Sequence, residues 1–227
     1  VQEKLKMGQP VLAVPFDSGV LIMGFAPQPG KIFEIYDRIA LGGVGHPADV
    51  ERLRMALLDM AHLEGFNRSA QDVTLARLLQ FGIAPALKQN FEEIQRAPYI
   101  ISLLLVELDG EGHPNFFRVN YDGHWETFKN GTVVAGNTKV MDEVQKKIQD
   151  TPFATFTLEK ALEETCRLWD ESRKHYEDDD DSIPKTLKEA FDQWYLEAAL
   201  LSGKVERRAI YRVLTKEELG KLKSSVG

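Results

Sequence analysis

The residues able to do chemistry in this chain are few, and their spacing excludes more than it offers. Five histidines, His46, His62, His113, His124 and His175, fall into no H-x-x-x-H or H-E-x-x-H arrangement, so no zinc site is readable. Cys166 is the only cysteine, which excludes an internal disulfide framework and any paired-cysteine metal or redox motif. It lies in an amphipathic helical stretch and reads as a small buried hydrophobe. Asp178 to Asp181 could tempt a calcium reading, but an EF-hand needs acidic ligands at alternate positions and a glycine bend, and both are absent. Four adjacent aspartates repel one another, so the segment reads as a solvated loop. Gly42-Gly43-Val44-Gly45 lacks the Lys-Ser/Thr of a phosphate loop, and close packing of a helix on the strand is the better reason for its glycines. Lys31 stands at the head of a strand-like run and is the one basic residue whose placement asks for a purpose.

Composition sets the outer bounds. A chain of 227 residues, 43% hydrophobic and 28% charged, can bury a sizeable core. A net charge of −7 disfavours a nucleic-acid surface, because that binding needs clustered Lys and Arg. No apolar run reaches the ~18 residues of a membrane span, and no signal segment opens the chain, so a protein without a membrane partner is expected. One cysteine fits a reducing cytoplasm. The chain opens on Val1 rather than Met, implying that residues once preceded it.

The elements that must position these residues follow from punctuation and period. Residues 1 to 7 read as the end of a short helix stopped at Gly8. A helix this short is marginal alone, so it is expected to pack against a neighbouring subunit. Strands are expected at about 11 to 16, 20 to 25, 31 to 36 and 39 to 44 as a first sheet, with turns at Asp17-Ser18-Gly19 and Tyr36-Asp37-Arg38. Val50, Leu53, Leu57, Met60 and Ala61 mark a helix ended by Gly65. Ser69 and Asp72 start a second, with Val73, Ala76, Leu79, Ile83 and Leu87 on one face and Pro85 bending or shortening it.

The run Tyr99 to Val106 predicts a central strand buried on both faces. Strands at 114 to 119, 124 to 128 and 131 to 135 follow it as a meander in a second sheet. Val140, Val144 and Ile148 mark one helix; Thr157 caps another carrying Leu158, Ala161, Leu162, Thr165 and Leu168. Pro184 restarts a helix with Leu187, Phe191, Tyr195, Ala198 and Leu201 on one face until Ser202-Gly203. Val205, Arg207, Ala209, Tyr211 and Val213 alternate as a strand, and Thr215 with Glu218 opens a last short helix.

The stretch GKIFEIYDRIALGGVG, Gly30 to Gly45, together with the Asp-x-Gly hairpin before it, resembles 20S proteasome subunits, and most closely the bacterial α-type. The resemblance covers roughly residues 8 to 165, resumes near 204 and departs between about 170 and 203. It implies an α+β fold, a four-layer αββα sandwich of the N-terminal-nucleophile hydrolase type, in one domain with an acidic loop and an extra helix inserted at about 172–203. In active β-type members a free N-terminal threonine opens the first strand and attacks the peptide carbonyl. Gly8-Gln9-Pro10 offers neither hydroxyl nor thiol there, the expected acidic partner falls at or near Phe25, and the expected Gly-Ser-Gly segment reads Ala135-Gly136-Asn137. The resemblance therefore implies a noncatalytic subunit with no metal or cofactor.

Its partners would be copies of itself in a heptameric ring, catalytic β-type subunits, a ring-shaped ATPase or other activator, and unfolded protein substrates in the cytoplasm. Lys31 would bind the activator in a pocket between ring neighbours that Gly8 and His46 also line, although His46 departs from the aliphatic residue expected there. Two other functions stay open on the sequence: a self-compartmentalising threonine-type peptidase homologue, and an inactive ring-shaped cage.

Overall fold

The computed structural model describes residues 1–176, 183–202 and 210–226. Asp178 to Asp181, and Val205, Arg207 and Ala209 of the expected strand, lie outside them. The chain opens with α1 (Gln2–Leu5), followed by the hairpins β1 (Val11–Phe16) with β2 (Gly19–Ala26) and β3 (Ile32–Tyr36) with β4 (Ile39–Gly45). Helices α2 (Pro47–Asn67), α3 (Leu75–Leu78) and α4 (Ala84–Glu92) lead to β5 (Ile101–Leu108), β6 (Pro114–Asn120), β7 (Trp125–Phe128) and β8 (Thr132–Val134). The remainder is α5 (Thr138–Asp150), α6 (Leu158–Ser172), α7 (Leu187–Gln193), β9 (Tyr195–Ser202), β10 (Tyr211–Val213) and α8 (Lys216–Val226).

The strands form two antiparallel five-stranded sheets, ordered β10-β9-β2-β1-β8 and β3-β4-β5-β6-β7. Period-two alternation sends successive side chains to opposite faces, and here every face of the central strands is covered. In β2, Leu21, Met23 and Phe25 pack under the helix layer of α5, α6, α7 and α8, while Val20 and Ile22 point into the space between the sheets. In β5, Ile101, Leu103 and Leu105 meet α2, α3 and α4, while Leu104 and Val106 face the first sheet. The order is helices, sheet, sheet, helices: an α+β sandwich of four layers. The apolar run before Val106 is the central strand of its sheet, as its composition demands.

Several expectations are corrected. The two N-terminal hairpins do not share a sheet: β1 and β2 lie in one, β3 and β4 in the other, and β8 leaves the meander to pair with β1 (Val11 opposite Val134). The connection Ala26-Pro27-Gln28-Pro29-Gly30 carries the chain from one sheet to the next. The last long helix is shorter than expected. It stops at Gln193, and Tyr195 to Ser202 form β9, paired with β2 along its whole length from Ala26↔Tyr195 to Gly19↔Ser202.

Helix α2 runs past Gly65 to Asn67. A Cβ on Gly65 would lie 2.2 Å from the Tyr36 hydroxyl oxygen, so close packing keeps the glycine inside the helix, while Glu64 beside it accepts from Arg77 Nε at 2.8 Å. The second helical segment is broken into α3, a wide turn over Leu79–Ile83 and α4; Thr74, not Ser69, caps α3, and Ala76 is exposed while Leu75 and Leu78 are buried. Pro85 sits in the first turn of α4, where an N–H is dispensable. Within its own chain α1 is anchored by Leu5, which is buried in the inter-sheet cluster with Val44.

Candidate functional site

Two of the residues singled out from the sequence, Gly8 and Lys31, come together where α1 runs into β1. Gly8 N donates to Leu5 O at 2.7 Å, and Gly8 O accepts from Gly136 N at 2.9 Å and from the Tyr176 hydroxyl at 2.8 Å. Both glycines are required by close approach: a Cβ on Gly8 would lie 2.2 Å from Val44 Cγ1, and one on Gly136 only 1.4 Å from Leu5 O. The chain then enters the interior. Gln9 is 5% exposed; its amide Nε2 donates to Met7 O at 3.3 Å, while Oε1 has no hydrogen-bond partner among the described residues.

Lys31 reaches this junction from the loop ahead of β3. Its ammonium donates to the backbone oxygen of Gln9 at 3.1 Å, and its own carbonyl accepts from Gly43 N at 2.9 Å. The lysine thus points at the chain just ahead of β1 and finds a carbonyl. Burial pulls its pKa down to about 8, with the negative charge of Glu197 opposing the fall.

Glu197 is the residue that sequence reasoning missed. It sits on β9 opposite Gly24, and its carboxylate gathers three consecutive amides: Gly30 N at 2.6 Å, Lys31 N at 3.1 Å to both oxygens, and Ile32 N at 3.1 Å. Such a concave row of N–H groups is a ready anion site, and here a side chain of the same protein fills it. Tyr211 of β10 lies near the same carboxylate; burial first, then Glu34 and Glu197, push its phenol up to about 12. The run Ala198-Ala199-Leu200-Leu201 could have disclosed β9, since a short apolar run reads as a strand covered on both faces.

Phe25 is not brought to this site. Its ring belongs to the helix side of the first sheet, 4.4 Å from Trp169 and edge-on to Phe191 at 5.1 Å, whereas Lys31 approaches Gln9 from the loop beside Glu197. His46 stands just beyond β4 and is exposed; its Nδ1 caps α2 by accepting from Ala48 N at 3.3 Å. Gly8 and Lys31 therefore share one junction through Gln9, and His46 marks the end of the strand that both touch. An open cleft of about 420 Å³ flanks the junction, lined by Gln2, Lys6, Met7, Gly136 and Lys139 among others. The larger groove, about 550 Å³ between α6 and α8, lies in the helix layer, away from Lys31.

Elsewhere the chemistry is quiet. Burial pushes the Cys166 thiol up to about 12, helped by Asp170 and Glu163, so it is no nucleophile near neutral pH. Among the described residues no cluster of His, Cys, Asp or Glu is placed to hold a metal, and no helix is long and apolar enough to cross a membrane. Gly43 allows the predicted close packing of α2, since a Cβ there would meet Val50 at 2.9 Å.

A layered sandwich with a lysine aimed at the head of its first strand defines a class, and the family comparison agrees with it: the proteasome subunit model matches residues 5–180. The chain belongs to the proteasome subunit family, as an α-type member. It is 34% identical over 119 residues to the proteasome subunit alpha of a Nocardioides species, covering 51% of this chain and 46% of that one. It is 31% identical over 144 residues to the proteasome subunit alpha of Thermomonospora curvata, with 62% and 61% covered. The corresponding protein of Mycobacteroides abscessus is 30% identical over 140 residues, with 60% and 53% covered. The chain spans about half the length of the curated relatives it matches.

Proposed function

We propose that this chain is a noncatalytic subunit that assembles into a heptameric ring, admits unfolded protein to catalytic β-type subunits and docks a ring-shaped activator, an ATPase or another, during protein degradation in the cytoplasm. The fold is read as that of the N-terminal-nucleophile hydrolases, in one domain. The observation that carries the reading is the contact of Lys31 Nζ with Gln9 O. A lysine persists at the mouth of β1, but Gly8-Gln9-Pro10 supplies nothing for it to activate, and Gln9 is buried with its carboxamide turned to Met7. Lys31 Nζ spends one donor on the backbone oxygen of Gln9, and an ammonium with donors to spare suits recognition of an anion.

A chain-terminal carboxylate suits a lone ammonium, because a charge-assisted hydrogen bond contributes roughly 1.5 to 3 kcal/mol without a fixed two-point geometry. Gly8 and His46 are the other members of this docking pocket. Large apolar side chains stand exposed in the helix layer outside the second sheet: Leu63, Phe66, Phe81 and Ile94 are 62%, 89%, 69% and 100% exposed. We assign that face to the β-type partner, since such residues cluster at protein interfaces. The test is degradation of a folded substrate by the co-purified complex with its activator. Lys31→Ala is expected to lower activator-dependent degradation about tenfold, about 1.4 kcal/mol, while unassisted peptide entry stays unchanged. Equal activator dependence in wild type and variant would overturn the docking role.

A further inference from the structure

Glu197 spends a carboxylate on a loop that a neutral side chain could have closed. Three N–H groups in a row, all within 3.1 Å, hold it on the edge of β9, and its charge lies close enough to Lys31 to act on the ammonium. No ion pair joins the two within salt-bridge distance among the described residues, so the carboxylate does not consume the lysine: the ammonium keeps donors beyond the one it gives to Gln9 O. We infer that Glu197 is the positioning residue of the Lys31 pocket, fixing the 30–32 backbone from which the lysine springs and supplying the fixed countercharge that keeps the ammonium available to an incoming carboxylate at neutral pH. This rests on the reading of Lys31 as a carboxylate-docking residue.

Residues 27–30 carry two prolines and a glycine of positive φ (Gly30, 118°), so the connection has no regular hydrogen bonds to set its position, and the Glu197 cradle sets it. Burial favours the neutral amine, and the negative charge beside it favours the ammonium, so the balance at pH 7 to 8 depends on Glu197. The other groups around the pair do not replace it. Gln9 ahead of β1 and Gly43 of β4 do not titrate, Glu34 of β3 and Glu197 both act on Tyr211 of β10, and Tyr211 stays neutral through this range.

The experiment compares wild type, Glu197→Gln and Glu197→Asp, each as the assembled full chain. Two readouts are taken: the NMR titration of the Lys31 ammonium, and the affinity for a synthetic peptide with a free C-terminal carboxylate, against the same peptide as its amide, at pH 6 and pH 8. In Glu197→Gln the Lys31 midpoint is expected to fall below its wild-type value. Peptide affinity should drop about tenfold at pH 8 and less than threefold at pH 6, where the lysine is charged in either protein. Glu197→Asp, which keeps the charge on a shorter arm, should recover most of the pH 8 affinity. An equal loss at both pH values, an unmoved Lys31 midpoint, or loss of folding in both variants would make Glu197 a structural anchor only and overturn the assignment. If the wild type does not distinguish acid from amide, the docking reading of Lys31 fails, and the NMR titration still decides whether Glu197 governs the ammonium.

Discussion

Replacing Lys31 by Met should make the chain more stable, a sign opposite to that of most core substitutions. Burial holds the ammonium at a pKa of about 8 against an ordinary 10.5. Each unit is worth about 1.4 kcal/mol, so at pH 7 folding is penalised by about 3 kcal/mol for keeping this group charged. Methionine fills a similar volume with no charge to desolvate. Against that gain stands the lost hydrogen bond to Gln9 O, about 1 kcal/mol, which leaves a net stabilisation of about 2 kcal/mol.

The pH window follows from the direction of the shift. Between about pH 8 and 10.5 the unfolded chain keeps a proton that the folded chain has released, so wild-type stability rises with pH across that window relative to Lys31→Met. The advantage of the variant should therefore be full at pH 7 and largely gone by pH 10. Chemical denaturation of both proteins at pH 7 and 9.5, at one concentration and matched oligomeric state, measures it; at pH 7 the melting temperature should rise by about 4 to 8 °C. A variant less stable than wild type at pH 7, or a difference that does not shrink with pH, would refute the reasoning.

Other consequences are equally open to measurement. Phe25→Ala should cost about 3 to 5 kcal/mol in urea unfolding, because the ring is fully buried against Trp169 and Phe191, and a near-neutral result would show that the helix layer collapses around the gap. Gly136→Ala should detach α1, since its methyl would overlap Leu5 O; limited proteolysis should then cut within residues 1 to 8 far faster than in wild type, and unchanged cleavage would contradict it. Phe66→Ser with Ile94→Ser should leave protomer stability within about 0.5 kcal/mol while weakening β-type association in sedimentation, and unimpaired association would move that interface elsewhere.

What the sequence disclosed and what it hid divide along local and non-local signals. Thr157 caps α6, the Thr215 and Glu218 side chains each accept from the other's backbone N–H at 3.2 and 2.8 Å, and Asp17-Ser18-Gly19 turns a hairpin, all because those motifs act within four residues. The assignment of hairpins to sheets is set by pairings between distant strands, such as Gly42 with Leu104 and Val11 with Val134, and no short motif records them. At β9 a helical period misled: Leu187 and Phe191 are spaced for a helix, and Tyr195 and Ala198 continue that spacing by coincidence into a strand. The candidate site suffered the same way. Lys31 was legible from the family-like stretch and Gly8 from the wider resemblance, but Glu197 sits 166 residues from Lys31 and comes beside it only once β9 lies against β2.

The central claim, a noncatalytic chain that builds a ring, is tested most directly by native mass spectrometry of the purified protein, alone and after mixing with a β-type subunit whose mature chain opens on Thr. At 25.7 kDa per protomer the account predicts a species near seven masses, about 180 kDa, that gains further mass on adding the β-type subunit. A stable monomer that ignores the β-type subunit would contradict it.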